Sequence, residues 1–157
     1  MKKLLPLLAM LVCSTVWAVH LPEPTGFVID EIGKLSPQNV SEMSVIATQL
    51  SKQNGAEVAV VLVDSISPET IESYSIKLAE KLKVGKKGQN NGVILVVAKQ
   101  ERKIRIEVGY GLEGVLPDSK AGQIVSNVIS PKLKAGDWNG GVRGGFDAIV
   151  KSIGGVK

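Results

Sequence analysis

Two short stretches of the chain carry side chains able to hold a cation. One is Lys86-Lys87-Gly88-Gln89-Asn90-Asn91-Gly92, and the other runs from Gly109 to Asp118 and includes Tyr110 and Glu113. Carboxylate and amide oxygens from two loops are the ligands that a hard cation such as calcium or magnesium takes. The same residues also have structural uses. Asn91-Gly92 suits a turn, Asp118 suits a helix N-cap and Glu113 suits a solvated surface. The choice depends on whether the fold brings the two stretches together.

Other chemistries are excluded by what the chain lacks. It has one cysteine, Cys13, and one histidine, His20, both close to the N-terminus. A Cys–His pair, a Ser–His–Asp triad and a histidine-rich zinc site therefore have no material. No D-x-D sequence suggests an aspartyl-phosphate mechanism. Gly109-Tyr110-Gly111-Leu112-Glu113-Gly114 has the spelling G-x-G-x-x-G, but the dinucleotide fingerprint belongs in the first turn of a βαβ unit. Here the preceding strand is expected to be antiparallel, so no nucleotide cofactor is expected. The glycines are read instead as supplying positive φ in a tight loop.

The elements that must position these loops follow from hydrophobic pattern. Phe27-Val28-Ile29-Asp30 is a short strand or docked coil. Ser36-Pro37 then starts a helix with Val40, Met43, Ala47 and Leu50 on one face and Gly55 as its stop. Val58 to Val63 and Val93 to Val97 are continuous apolar runs, the pattern of strands covered on both faces. Between them, Ser67-Pro68 announces a second helix that Gly85 ends, giving a βαβ unit with parallel strands. Lys103 to Val108 alternates charged and apolar residues after a short turn, so it is an antiparallel strand at or near a sheet edge. Asp118 is expected to cap a helix that Pro131 bends or ends, and Asp137 caps a last helix with Val142, Phe146, Ile149, Val150 and Ile153 buried. Gly140, Gly141, Gly144 and Gly145 give that helix a small-residue face for the sheet, another helix or a partner. The sum is a small mixed sheet with helices on both faces. An antiparallel strand ends where its neighbour begins, so Gly109–Pro117 should lie beside Lys86–Gly92. That places Asn90, Asn91, Tyr110, Glu113 and Asp118 at one edge. Asp30 and Asp64 should lie at the opposite edge.

Residues 1–18 read as a cleaved leader: Lys2 and Lys3, an apolar stretch from Leu4 to Val12, and Val16-Trp17-Ala18 before the cut. The stretch is too short to span a bilayer comfortably, and no later segment is longer. Processing as a lipoprotein at Cys13 is disfavoured by the bulk of Val12. Residues 19–157 then form one domain, periplasmic or secreted, without a thiol and without a membrane-spanning helix. Losing Lys2 and Lys3 lowers the formal charge from +4 to +2. Lys81, Lys83, Lys86 and Lys87 favour a helix C-terminus or touch an anionic membrane surface, and no dense basic face points to nucleic acid. His20, near the new terminus, is expected to be mobile and a poor general base.

Three segments together resemble the TPM domain family: Phe27–Asp30 followed by Leu35-Ser36, Asn91–Val97, and RKIRIEVGYGLEGVLPD from Arg102 to Asp118. Gly136-Asp137-Trp138-Asn139-Gly140-Gly141 fits the start of that family's closing helix, and the likeness runs from Thr25 to Ile153. It implies an α/β fold, a three-layer α/β/α sandwich with a small mixed sheet of two central parallel strands plus an antiparallel strand, and about four helices. It also implies an extracytoplasmic or lumenal setting. Members include proteins described as acid phosphatases and as calcium binders, one serving photosystem II repair and one serving acetylcholine-receptor regulation. By position, the family's ion-binding loops fall on Asn90, Asn91, Glu113 and Asp118, with Asp30 a further acidic position. Many relatives have aspartate where this chain has Asn90, which implies weaker cation binding. The resulting expectation is a binding or assembly-factor module with a protein partner in the envelope and calcium or magnesium at the loop edge. The alternative is metal-dependent hydrolysis of phosphate esters, and a third reading is a structural domain that meets its partner through the glycine face.

Overall fold

The computed structural model describes residues 18–154, so the expected leader, apart from Ala18, lies outside the described residues. The apolar runs form the strands expected of them. Strand β1 (Val28–Asp30), β2 (Glu57–Val63), β3 (Gly92–Ala98) and β4 (Lys103–Val108) make a four-stranded sheet in the order β1-β2-β3-β4. The first three are parallel, and β4 is antiparallel to β3 with Val93 opposite Val108. Alternation splits each buried strand between two cores. Val58, Val60, Leu62, Val93, Leu95 and Val97 face one core, while Ala59, Val61, Val63, Ile94, Val96 and Ala98 face the other.

Helices cover both faces, giving the α/β/α sandwich. Helix α2 (Ile71–Leu82) covers one face, with Tyr74 and Leu78 fully buried. The other face holds α1 (Pro37–Asn54), α3 (Asp118–Ile124), a wide turn (Val125–Ile129), α4 (Ser130–Lys134) and α5 (Trp138–Ser152). Met43, Ile129, Phe146 and Ile149 are fully buried there. Each such side chain contributes about 1.5–3 kcal/mol by leaving water. Because α3, the wide turn and α4 run on without a break, the α-helical segments among the described residues number four, as expected. None of the described helices is long and apolar enough to cross a membrane.

Several element ends differ from the sequence reading. Ser67-Pro68 does not start α2: the Ile66 carbonyl accepts from Glu69 N–H in a turn, and Thr70 is the N-cap, its Oγ1 accepting from Ser73 N–H at 3.2 Å. The helix ends at Lys83, in the left-handed region at φ 53°, before Gly85 is reached. Asp118 is the first residue of α3 and Pro117 occupies the cap position. Pro131 does not end its helix. The widened turn lies just ahead of it, where the proline ring would crowd a regular helix and no N–H is available to donate.

The glycine face of α5 is already occupied. A methyl group on Gly141 would strike Leu133, and one on Gly145 would strike Ile129, so the glycines let α5 press against α4 and the turn before it. His20, expected on a loose terminus, lies against the domain. Its carbonyl accepts from the Tyr74 hydroxyl at 3.0 Å, its ring lies 2.9 Å from Glu31, and Lys81 Nζ donates to Leu21 O at 2.6 Å. Burial, aided by the Glu31 charge, pushes the Tyr74 phenol well above its ordinary range.

The two helices that start on the same face are tied by one amide. Asn139 Oδ1 accepts from Ser36 N–H at 2.8 Å and from Asn39 Nδ2 at 2.7 Å. Asn139→Ala strands both donors in a half-buried site and is expected to cost about 1–3 kcal/mol. Chemical denaturation measures that as a lower midpoint with unchanged slope.

Candidate functional site

The two oxygen-rich loops meet at the end of the sheet where β3 begins and β4 ends. Gly109 N–H donates to Gly92 O at 2.8 Å, and Gly111 N–H donates to Asn90 O at 2.9 Å. These contacts bring backbone onto backbone. A methyl group on Gly109 would collide with the Asn90 carbonyl, one on Gly111 with the Gln89 carbonyl, and one on Gly92 with Val84. The expected role of positive φ for the 109–111 glycines is therefore corrected: Gly109 sits at φ −66°, and closeness is what demands glycine there. Tyr110–Leu112 forms a short 3-10 turn, not the start of a crossover helix.

Asn90 and Asn91 are neighbours with different tasks. Asn90 adopts φ 48°, gives its carbonyl to Gly111 and lines the cleft at this end. Asn91 is only 8% exposed. Its Oδ1 accepts from Lys86 N–H at 2.8 Å, and its Nδ2 donates to Gly55 O at 2.8 Å and to Gln89 Oε1 at 3.0 Å. Both polar atoms of its side chain are engaged in shaping the loop. Glu57 on β2 helps by accepting from Gly85 N–H at 2.8 Å.

The cleft over these loops has a volume of about 430 Å³ and is bordered by α2, β4 and the Gly109–Glu113 bend. Asn90, Tyr110 and Glu113 line it, as the sequence pattern predicts. Glu80 and Glu107 line it as well. Sequence reasoning missed these two, although the alternation of β4 puts Glu107 on the α2 face. Tyr110 is 81% exposed at the rim. Glu107 Oε2 is 2.7 Å from Arg105 Nε, so part of its charge is already met.

Two of the residues the resemblance marks lie away from this cleft, Asp30 at the opposite edge, as the strand directions predict. Asp118 borders a second cleft with Glu72 and Arg105, farther along β4. Asp30 stands at the far end of the sheet, where its carboxylate accepts from Ile32 N–H at 3.1 Å and Leu35 N–H at 2.7 Å and so shapes the turn into α1. Among the described residues, no three His, Cys, Asp or Glu side chains come close enough to share a metal ion. The loops thus adjoin as expected, while the acidic groups are spread along the edge.

The glycine contacts predict a contrast. Gly109→Ala and Gly111→Ala should each cost about 1–3 kcal/mol through overpacking. Gly114→Ala, with open space around it, should stay within about 0.5 kcal/mol. Urea denaturation of the three variants checks the difference.

Comparison with known proteins places this geometry. The solved structures similar to the chain include the N-terminal domain of a protein from P. gingivalis, at 29% identity and a TM-score of 0.74, covering 87% of this chain and 97% of that one. The N-terminal domain of cg2496 protein from Corynebacterium glutamicum shares 18% identity at a TM-score of 0.62, covering 87% of each chain. BA42 protein from the psychrophilic bacterium Bizionia argentinensis shares 20% identity at 0.60, covering 76% of this chain and 83% of that one. The last two are likenesses of fold alone. No curated protein matches the chain. The family model described as TPM domain matches residues 28–152, from the first strand to the last helix. The chain belongs to the TPM domain family.

Proposed function

We propose that this protein is an extracytoplasmic binding or assembly-factor module, exported by its leader, whose recognition surface is the end of the sheet formed by the two clamped loops. The observation that carries the reading is the Gly111–Asn90 backbone contact, which holds Asn90 and Glu113 on the rim of one cleft. A preformed, polar concavity beside an exposed tyrosine is a surface suited to recognition. A calcium or magnesium ion would be held there by Asn90 and Glu113, with Glu80 and Glu107 supplying negative field and water completing the shell. Affinity would be low, because Asn91 has spent its oxygen and Asp118 and Asp30 lie away from the cleft. The same dispersal weighs against phosphate-ester hydrolysis, which wants clustered ligands to polarise a phosphoryl oxygen and activate water.

Calcium titration followed by amide NMR is expected to shift Asn90, Gly111 and Glu113. Asn90→Asp should tighten binding up to about thirtyfold, the ~2 kcal/mol expected when one unit charge is added ~4 Å from a divalent ion in a watery site. Silence at these amides removes the cation. Turnover of p-nitrophenyl phosphate that is lost in Glu113→Gln would replace the binding-module reading with the hydrolase. Export is checked separately: the mature protein from the periplasm or medium should begin at Val19.

A further inference from the structure

Strand β4 is the last in the sheet, with no strand beyond it among the described residues. The bond from Gly109 N–H to Gly92 O fixes the phase of the β3–β4 ladder. Bonded and non-bonded pairs alternate in an antiparallel ladder. Glu107, Arg105 and Lys103 therefore bond to β3, while Ile104, Ile106 and Val108 turn their N–H and C=O groups outward. No backbone partner for those outward groups occurs among the described residues. An unpaired row of this kind is a template for another strand.

Two clefts follow that edge. One of about 310 Å³ lies between the start of α2 and α3, alongside Ile104–Ile106. The loop cleft of about 430 Å³ continues past Glu107. Their charged lining is one-sided: Glu72, Glu80, Glu107, Glu113 and Asp118 against Arg105, which is itself paired with Glu107. Between Glu72 and Glu80 on α2 sits Ile76, 48% exposed. On the opposite side Gly122 of α3 leaves open space where a side chain would stand.

We propose that the β4 edge takes up an extended, basic segment of a partner protein as a fifth strand, laid between α2 and α3. The dimensions agree. Glu72 and Glu80 are separated by about 12 Å along the helix axis, and residues i and i+4 of a strand are about 13 Å apart. A segment with lysine or arginine at i and i+4 and an apolar residue at i+2 meets Glu72, Ile76 and Glu80 on one face. Its i+1 and i+3 residues turn toward α3 and must be small. Backbone bonds to Ile104, Ile106 and Val108 would supply affinity, and the acidic walls would supply the preference for positive charge. A second copy of this chain suits the edge less well, because it would bring its own acidic α2 against this one. The inference names the class of partner for the binding-module reading and needs no cation.

The test uses the mature protein in chelator, with a capped Lys-Thr-Val-Thr-Lys peptide as probe and Glu-Thr-Val-Thr-Glu as control. Binding of the lysine peptide should shift the Ile104, Ile106 and Val108 amides and slow their exchange with solvent. The glutamate peptide should leave them unmoved. Glu72→Lys with Glu80→Lys, both surface changes, should weaken binding about tenfold or more. Val108→Pro removes one outward N–H at an edge position that tolerates proline and should weaken it too. Equal binding of both peptides, shifts confined to other surfaces, or no binding at millimolar peptide overturns the proposal. So does a free protein that tumbles as a dimer with those three amides already protected, which would assign the edge to a second copy. Because no metal is present, a failed calcium titration and a failed peptide titration remain separate results.

Discussion

The end of the sheet that carries the candidate site depends on one close approach of backbone to backbone. Gly109 and Gly111 lie directly against Asn90 and Gln89, with no room for a single methyl group between them. The contact converts two flexible polar loops into one surface. It continues the β3–β4 ladder, whose register leaves the backbone groups of Ile104, Ile106 and Val108 outward. A side chain at either glycine would push the loops apart.

Around this contact the chain uses its polar residues sparingly and mostly for shape. Asn91 and Asp30 look like ligands by residue type, yet each spends its oxygens on backbone N–H groups of its own loop. Buried or half-buried N–H groups that lack a partner cost more than an exposed carboxylate gains by waiting for a ligand. Asn139 does the same work at the other end, joining the starts of α1 and α5. Along the β4 edge Glu72, Glu80, Glu113 and Asp118 line the clefts beside the Arg105–Glu107 pair, where solvent keeps charge inexpensive.

The architecture was legible because the strands announce themselves. Val58–Val63 and Val93–Val97 are short, β-branched apolar runs that read as buried strands, and Lys103–Val108 shows its edge position by alternation and its direction by the short turn before it. From these alone, the meeting of the two loops follows. The helix ends were harder, since Thr70 and Lys83 cap α2 where Ser67 and Gly85 carried the stronger local signals. Local preference yields there to the packing of Tyr74 and Leu78 on the sheet. The site was legible only in part. Spelling could place Asn90 and Glu113 together, but the dedication of Asn91 to Lys86 and Gly55 depends on contacts between distant segments. Glu80 was hidden for a similar reason, because its helix phase matters only once α2 is laid over β4. The glycine face of α5 shows the reverse case, where a pattern that resembles an interface is filled by the chain itself.

The central claim, that a glycine contact joins the two loops into one preformed surface, is tested most directly by scalar coupling across the hydrogen bond from Gly111 N–H to Asn90 O in labelled protein. A measurable coupling between the Gly111 amide nitrogen and the Asn90 carbonyl carbon, with slow solvent exchange of the Gly111 amide, is the result the account predicts. No coupling together with exchange as fast as in an unfolded chain would mean that the loops move independently, and the shared cleft would not exist in solution.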